Sequence, residues 1–145
     1  MLEVTLKKFG YPTTLVKEYK HWYLLRRFEQ VTLGSLILIC REQTDAFSKI
    51  SEGSFDELPV VIKEIETNLK KLFQNDKINY LMLMMVDPEV HFHVVPRYAS
   101  NREFEGVVFK DSEWPKKADI DVVNNVSDDV LEKLTVSLRN AFEQQ

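Results

Sequence analysis

The sequence has little of what membrane, secreted or nucleic-acid-binding proteins usually carry. It has one cysteine, Cys40, so no internal disulfide is possible and a reducing, cytoplasmic location is expected. Its longest apolar runs, 36–40 and 80–86, fall far short of the ~18 residues that span a bilayer, and no signal peptide is visible. Nineteen Lys and Arg stand against 23 Asp and Glu, a net charge of −4. We therefore expect neither a membrane nor a nucleic acid polymer as a partner.

Glycine and proline are also scarce, at four and five residues, and no repeat or flexible linker divides the chain. Its 145 residues include 44% hydrophobic and 29% charged side chains, which is typical of a globular protein. Because domains of this length are common, the sequence predicts a single domain over 1–145.

The first half predicts strands followed by a helix. Segments 13–19 and 22–28 are rich in β-branched and aromatic residues, with a turn between them, and 34–40 is typical of a strand buried on both faces. After a polar loop over 42–54, a helix is expected from an N-cap at Ser54 to Asn75 and Asp76. Its apolar residues recur at spacings of three and four: Phe55, Leu58, Ile62, Ile65, Leu69 and Leu72.

The second half predicts a hairpin and a last helix. Segments 78–86 and 90–98 read as strands joined by a turn at Asp87 and Pro88. Residues 99–126 look irregular apart from a short strand at 107–110, and Ser127 opens a C-terminal helix. The apolar stripe expected on this helix consists of Val130, Leu131, Leu134, Leu138, Ala141 and Phe142. This order favours an α+β fold, an antiparallel sheet of about five strands with its helices on one side.

Three polar side chains alternate along the second of these strands. Because successive side chains on a strand point to opposite faces, Glu89, His91 and His93 are expected on one face, about 7 Å apart. The chain has only three histidines, and two of them fall in this alternation. The pattern indicates a functional site and not a core surface.

The string His91-Phe-His93-Val-Val-Pro96-Arg97 resembles the end of the histidine triad signature, which is His-x-His-x-His, two apolar residues and often Pro-Arg. The segment 31–41, with its glycine before an apolar run, and the helix and strand that follow are similar to the family's elements. The resemblance covers 22–98. Glu89 stands where the family has its first histidine, so the triad is incomplete.

The resemblance implies a nucleotidyl hydrolase or transferase without a cofactor, acting on a nucleotide or dinucleotide and forming a homodimer. It makes His91 the nucleophile that attacks the α-phosphate, and His93 the histidine that positions the phosphate. An imidazole suits this role because its unperturbed pKa is about 6.5 and it is largely neutral near pH 7. Three further residues are expected to contact the nucleotide or its phosphates: Arg97, Arg27 (where the family has a ribose-binding Asp or Asn) and Trp114 near the pocket.

Three alternatives stay open. In another register His91 is the first histidine of the triad and His93 the nucleophile. Glu89, His91 and His93 could instead be metal ligands. Finally, the altered first position and the absence of the family's phosphate-binding Gly-Gln-Ser/Thr loop before the signature fit a protein that binds a nucleotide or a partner without catalysis.

Overall fold

The computed structural model describes residues 2–143. In chain order its elements are helix α1 (Leu2–Lys8), strands β1 (Leu15–Glu18), β2 (Trp22–Arg26) and β3 (Leu36–Cys40), a 3-10 turn (Phe47–Lys49), helix α2 (Glu52–Phe73), strands β4 (Lys77–Leu81), β5 (His91–Arg97), β6 (Arg102–Phe104) and β7 (Val107–Phe109), and helix α3 (Asp128–Glu143). Within the described range, no helix has the length and apolarity needed to cross a membrane.

Five strands form one antiparallel sheet in the order β1-β2-β3-β5-β4, while β6 and β7 pair separately. Every residue of the central strand β3 is buried, as its unbroken apolar run predicts. Its pairing with β5 sets Ile37 opposite His93 and Ile39 opposite His91. The predicted α+β fold with a five-stranded antiparallel sheet is confirmed.

The main core lies between one face of the sheet and helices α2 and α3. It includes Trp22, Leu24, Leu36 and Leu38 from the sheet, Val61, Ile65 and Leu69 from α2, and Leu134 and Leu138 from α3. The C-terminal helix buries the apolar stripe that its sequence predicts.

The opposite face of the sheet is covered by α1, which the sequence analysis did not foresee. Leu6 and Phe9 pack there against Leu25, Ile37 and Ile39. The expectation that all helices lie on one side of the sheet is therefore wrong. Because side chains directly opposite each other on paired strands share a face, His91 and His93 also point to the α1 side.

Helix α2 begins earlier than predicted. Its N-cap is Ser51, whose side-chain oxygen accepts a hydrogen bond from the backbone N–H of Ser54 at 3.1 Å, so the predicted cap at Ser54 is wrong. The buried stripe is also rotated, since Val61 is fully buried while Phe55 is exposed. Residues 60–62 are all apolar, so their spacing does not show which of them faces the core.

The predicted strand over 78–86 ends at Leu81, and the predicted tight turn at Asp87 and Pro88 is wrong. Residues 82–90 instead form a long loop between two strands that do pair antiparallel. The sheet does not bury the apolar side chains of this loop: Leu83, Met85 and Val86 are 50%, 81% and 86% exposed. Downstream, β6 adds a strand that the sequence analysis left irregular.

Candidate active site

His91 and His93 open strand β5 on the face that α1 covers. Their ring centroids lie 5.2 Å apart with the planes at 76°, an edge-to-face arrangement. The two residues are 2% and 7% exposed. Both line one cavity of about 370 Å³, a volume that suits a small-molecule ligand. The alternation of residues along the strand therefore does place the two imidazoles together.

The tautomer of His91 follows from a single hydrogen bond. Its Nδ1 lies 2.6 Å from the backbone carbonyl oxygen of Glu89. A carbonyl can only accept, so Nδ1 carries the proton and donates it. In the neutral ring the lone pair is then on Nε2, and the ring lines the cavity.

Glu89 does not contribute its carboxyl group to this cavity. The residue lies in the loop just before β5, and its buried carboxyl accepts a hydrogen bond from the Thr5 hydroxyl of α1. The side chain borders a separate hollow that Gln43, Thr44, Asp45 and Pro88 also line. Glu89 therefore hydrogen-bonds His91 through its backbone carbonyl and α1 through its side chain.

His93 is held neutral by its surroundings. Burial is the largest cause, and the Arg27 charge and the neighbouring His91 imidazole add to it, while the Asp87 carboxylate opposes it; together they lower the pKa of His93 to about 4. Within residues 2–143, its buried Nδ1 has no hydrogen-bond partner. At neutral pH His93 thus offers a neutral, unsatisfied imidazole beside His91.

Arg27 brings the buried cation of the cavity. It follows β2 directly and is 7% exposed. Its Nη1 donates to the backbone oxygen of Glu29 at 3.1 Å and lies 3.7 Å from the Glu29 carboxylate. Burial lowers the pKa of the Arg27 guanidinium and the Glu29 charge raises it, but arginine stays protonated at neutral pH. Among the described residues, its buried Nε has no partner.

The walls of the cavity are largely apolar and come from distant parts of the chain. They consist of Phe9 just after α1, Phe28 just after β2, Leu83, Met84, Met85 and Val86 in the loop before β5, and Ile120. Lys8 and Asp87 form an ion pair at 2.9 Å at the rim, and Glu29 and Asp121 add two more carboxylates. The cavity thus combines an apolar wall with two cations, one of them deeply buried.

The structure places Arg97 and Trp114 in a second cavity, away from the histidine pair. Arg97 is 4% exposed and lies about 13 Å further along β5 than His93. Its guanidinium donates to both Asp111 carboxylate oxygens, at 2.8 and 3.1 Å, and to Asn79 Oδ1 at 2.7 Å. The structure therefore brings His91, His93 and Arg27 together, and it keeps these other two predicted contacts apart from them.

The alternative of a metal site finds no support in the described part of the chain. No three His, Cys, Asp or Glu side chains of residues 2–143 are placed so that they could hold a metal ion. Glu89 turns its carboxyl group to α1, so it does not join the two histidines.

The sequence analysis missed the contribution of α1, which supplies Thr5, Lys8 and Phe9 to the surroundings of the histidines. One signal was present in the sequence. Leu2, Leu6 and Phe9 recur at spacings of four and three, which is the period of an amphipathic helix.

Comparison with known proteins identifies the family and agrees with the fold. The family model of the HIT domain matches residues 8–100. A histidine triad protein from Bradyrhizobium japonicum has a TM-score of 0.73 at 16% identity, covering 95% of this chain and 94% of that one. A hypothetical histidine triad nucleotide-binding protein from Sulfolobus tokodaii has a TM-score of 0.71 at 16% identity, covering 99% of this chain and 93% of that one. A histidine triad protein from Sinorhizobium meliloti has a TM-score of 0.71 at 16% identity, covering 97% of this chain and 96% of that one. No curated protein matches the chain in sequence.

Proposed function

The chain belongs to the HIT domain family, and on that premise we propose that it is a nucleotidyl hydrolase or transferase with His91 as its nucleophile. The proposed substrates carry a nucleotide α-phosphate in an anhydride or a P–N bond: dinucleoside polyphosphates, nucleoside phosphoramidates or other AMP conjugates. The observation that carries the proposal is the hydrogen bond from His91 Nδ1 to the Glu89 carbonyl, because it leaves Nε2 free to react.

The proposed reaction has two displacements. Nε2 of His91 attacks the α-phosphorus, so a P–N bond forms while the bond to the leaving group breaks and its electron pair departs with that group. Water then attacks the same phosphorus and loses a proton, the P–N bond breaks, and Nε2 regains its lone pair. An acceptor other than water gives transfer in place of hydrolysis. Two easier steps thereby replace one difficult one.

Arg27 and His93 are proposed to hold the phosphate. Both side chains line the cavity beside His91, and a neutral imidazole and a guanidinium each offer N–H donors to phosphate oxygens. The guanidinium also offsets the negative charge that the phosphate brings into a buried site. For Glu89 we propose that it occupies the place of the first triad histidine and acts through its backbone carbonyl.

Arg97 and Trp114 are proposed to contact substrate only when the ligand is long enough to reach the second cavity. A dinucleoside polyphosphate is such a ligand, because His93 and Arg97 occupy alternating positions of β5, which share a face of the sheet, about 13 Å apart. A mononucleotide conjugate would leave Arg97 with its partners Asp111 and Asn79.

We also propose that the chain forms a homodimer through β4, the edge strand of the sheet. An edge strand presents unpaired backbone groups that a second copy can use. The exposed apolar residues Leu83, Met85 and Val86 adjoin this edge in sequence, and burying them would stabilise the association.

Stereochemistry at phosphorus tests the proposed mechanism together with the activity. Turnover of a P-chiral α-phosphorothioate substrate in isotopically labelled water should give net retention, because two displacements each invert the centre. His91→Asn should abolish turnover, while Val60→Glu on the exposed side of α2 leaves it intact. Net inversion would contradict a covalent intermediate. Tight nucleotide binding without turnover of any of the three substrate classes would favour a binding module instead.

A further inference from the structure

Helix α1 contacts the segment just before β5 through one buried hydrogen bond. The Thr5 hydroxyl donates to the carboxyl group of Glu89, and the two residues are 4% and 2% exposed. The backbone carbonyl of the same Glu89 accepts from Nδ1 of His91 at 2.6 Å. Thr5, Glu89 and His91 thus form a chain of two hydrogen bonds that runs from the N-terminal helix to the imidazole.

Two further contacts of α1 and its C-terminal end hold the same segment. The Lys8 ammonium pairs with both carboxylate oxygens of Asp87, at 2.9 and 3.0 Å. The Phe9 ring centroid lies 6.4 Å from that of His91. Three contacts therefore bind one short piece of chain, 87–91, to the N-terminal helix region.

We propose that Thr5 is a positioning residue for His91. By holding the Glu89 side chain, it keeps the Glu89 carbonyl aimed at Nδ1 and so fixes the tautomer in which Nε2 is unprotonated. Thr5 lies outside the stretch 8–100 that matches the HIT domain. The inference rests on the proposed function only for the catalytic use of the tautomer, since the tautomer itself is a property of the unliganded protein.

The physical basis is that one residue carries both acceptors. Glu89 lies just before β5 begins, and the nearest ladder bond, from the Cys40 N–H, goes to the carbonyl of Val90 and not to that of Glu89. A buried carboxyl that loses its donor lowers its free energy when it turns towards water or another donor. Such a turn rotates the adjoining backbone and moves the carbonyl away from Nδ1. The ring then populates the tautomer with Nε2 protonated, which has no lone pair for attack.

The test compares four variants by the ¹⁵N imidazole shifts of His91 in the unliganded protein, assigned with His91→Gln. Thr5→Val keeps the shape and removes the hydroxyl; Thr5→Ser keeps the hydroxyl. Thr135→Val is the matched control, because Thr135 is equally buried and its hydroxyl bonds Arg26 and Leu131 on the opposite face. Glu89→Met removes the acceptor and replaces Thr5→Val should that variant fail to fold.

We expect the Nδ1–H tautomer in the wild type, Thr5→Ser and Thr135→Val, and a mixture of tautomers in Thr5→Val and Glu89→Met. With substrate, kcat should fall about tenfold in Thr5→Val while KM stays within about twofold, since misplacement of a reacting group mainly slows the chemical step. An unchanged His91 tautomer in both Thr5→Val and Glu89→Met would overturn the proposal. A shifted tautomer in a protein whose wild type turns over no substrate would support the positioning role and refute the proposed function alone.

Discussion

Nδ1 of His91 lies 2.6 Å from the backbone carbonyl oxygen of Glu89, two residues earlier in the chain. This contact decides which nitrogen of the ring is protonated, and it does so with the backbone and not with a side chain. A backbone carbonyl is available whatever side chain stands at position 89. The glutamate at this position is therefore compatible with the proposed nucleophilic role of His91.

Removing the charge of Arg27 should affect both substrate and His93. In Arg27→Gln we expect kcat/KM to fall about 100-fold, as when a donor to a developing negative charge is lost. The pKa of His93 should rise, because the Arg27 charge is the largest cause of its lowering after burial. Steady-state kinetics and an NMR titration of His93 measure the two effects. The control is Arg41→Gln, since Arg41 follows β3 and does not line the cavity. An unchanged pKa of His93 in Arg27→Gln would contradict the electrostatic description of the cavity.

His93 should make folding stability depend on pH. Its folded pKa of about 4 lies below the ordinary 6.5, so between these values the unfolded chain binds the proton and the folded chain does not. The free energy of unfolding therefore rises from pH 4 to pH 6.5, is full above that range, and is lost as the pH falls through it. Urea unfolding should show that the wild type gains about 2 kcal/mol more than His93→Gln between pH 4.5 and 7. Equal gains in the two proteins would refute this.

The ion pair of Arg97 with Asp111 should be worth more to stability than a surface pair. The two side chains are 4% and 3% exposed, so Asp111→Asn leaves a buried guanidinium without its counter-charge. We expect a loss of about 3 kcal/mol in the free energy of unfolding. The control is Asp129→Asn, which breaks an exposed pair with Lys133 and should cost less than about 0.5 kcal/mol. Similar losses in the two variants, read from urea unfolding, would contradict the buried role.

The proposed dimer should depend on the apolar loop beside β4. Sedimentation should give twice the chain mass for the wild type, and the mass of one chain for a Met85→Glu, Val86→Glu double variant, because two carboxylates would be forced into an apolar contact. Val60→Glu places the same charge on an exposed site of α2 and should remain dimeric. A double variant that sediments as a dimer would place the interface elsewhere.

The sequence predicted the buried residues of an element correctly where the apolar pattern allows only one face, or the whole element, to be buried. The continuous run of β3 and the stripe of α3 each have one way to be buried, and both were correct. In α2, by contrast, three adjacent apolar residues at 60–62 left the buried face undetermined. The segment 82–86 looked like a strand because its composition is apolar, yet it lies in a loop that leaves Leu83, Met85 and Val86 exposed.

The candidate site divides in the same way. Alternation along one strand brought His91 and His93 together, because that rule needs only local geometry. It also set Glu89 on their face, and the Glu89 carboxyl does point to α1, which covers that face. Its partner Thr5, however, is 84 residues away in sequence. Arg27 lines the histidine cavity and Arg97 does not. Contacts of this range depend on the whole packing and cannot be inferred from spacing.

Trapping the intermediate tests the central claim most directly. The protein is mixed with an adenosine phosphoramidate or a diadenosine polyphosphate and quenched within one turnover under alkaline denaturing conditions, which preserve an acid-labile P–N bond. Intact mass and peptide mapping then locate any adduct. We expect one AMP group on His91, absent from His91→Gln and still formed in His93→Gln. An adduct on His93, or turnover that survives His91→Gln, would contradict the assignment of His91 as the nucleophile.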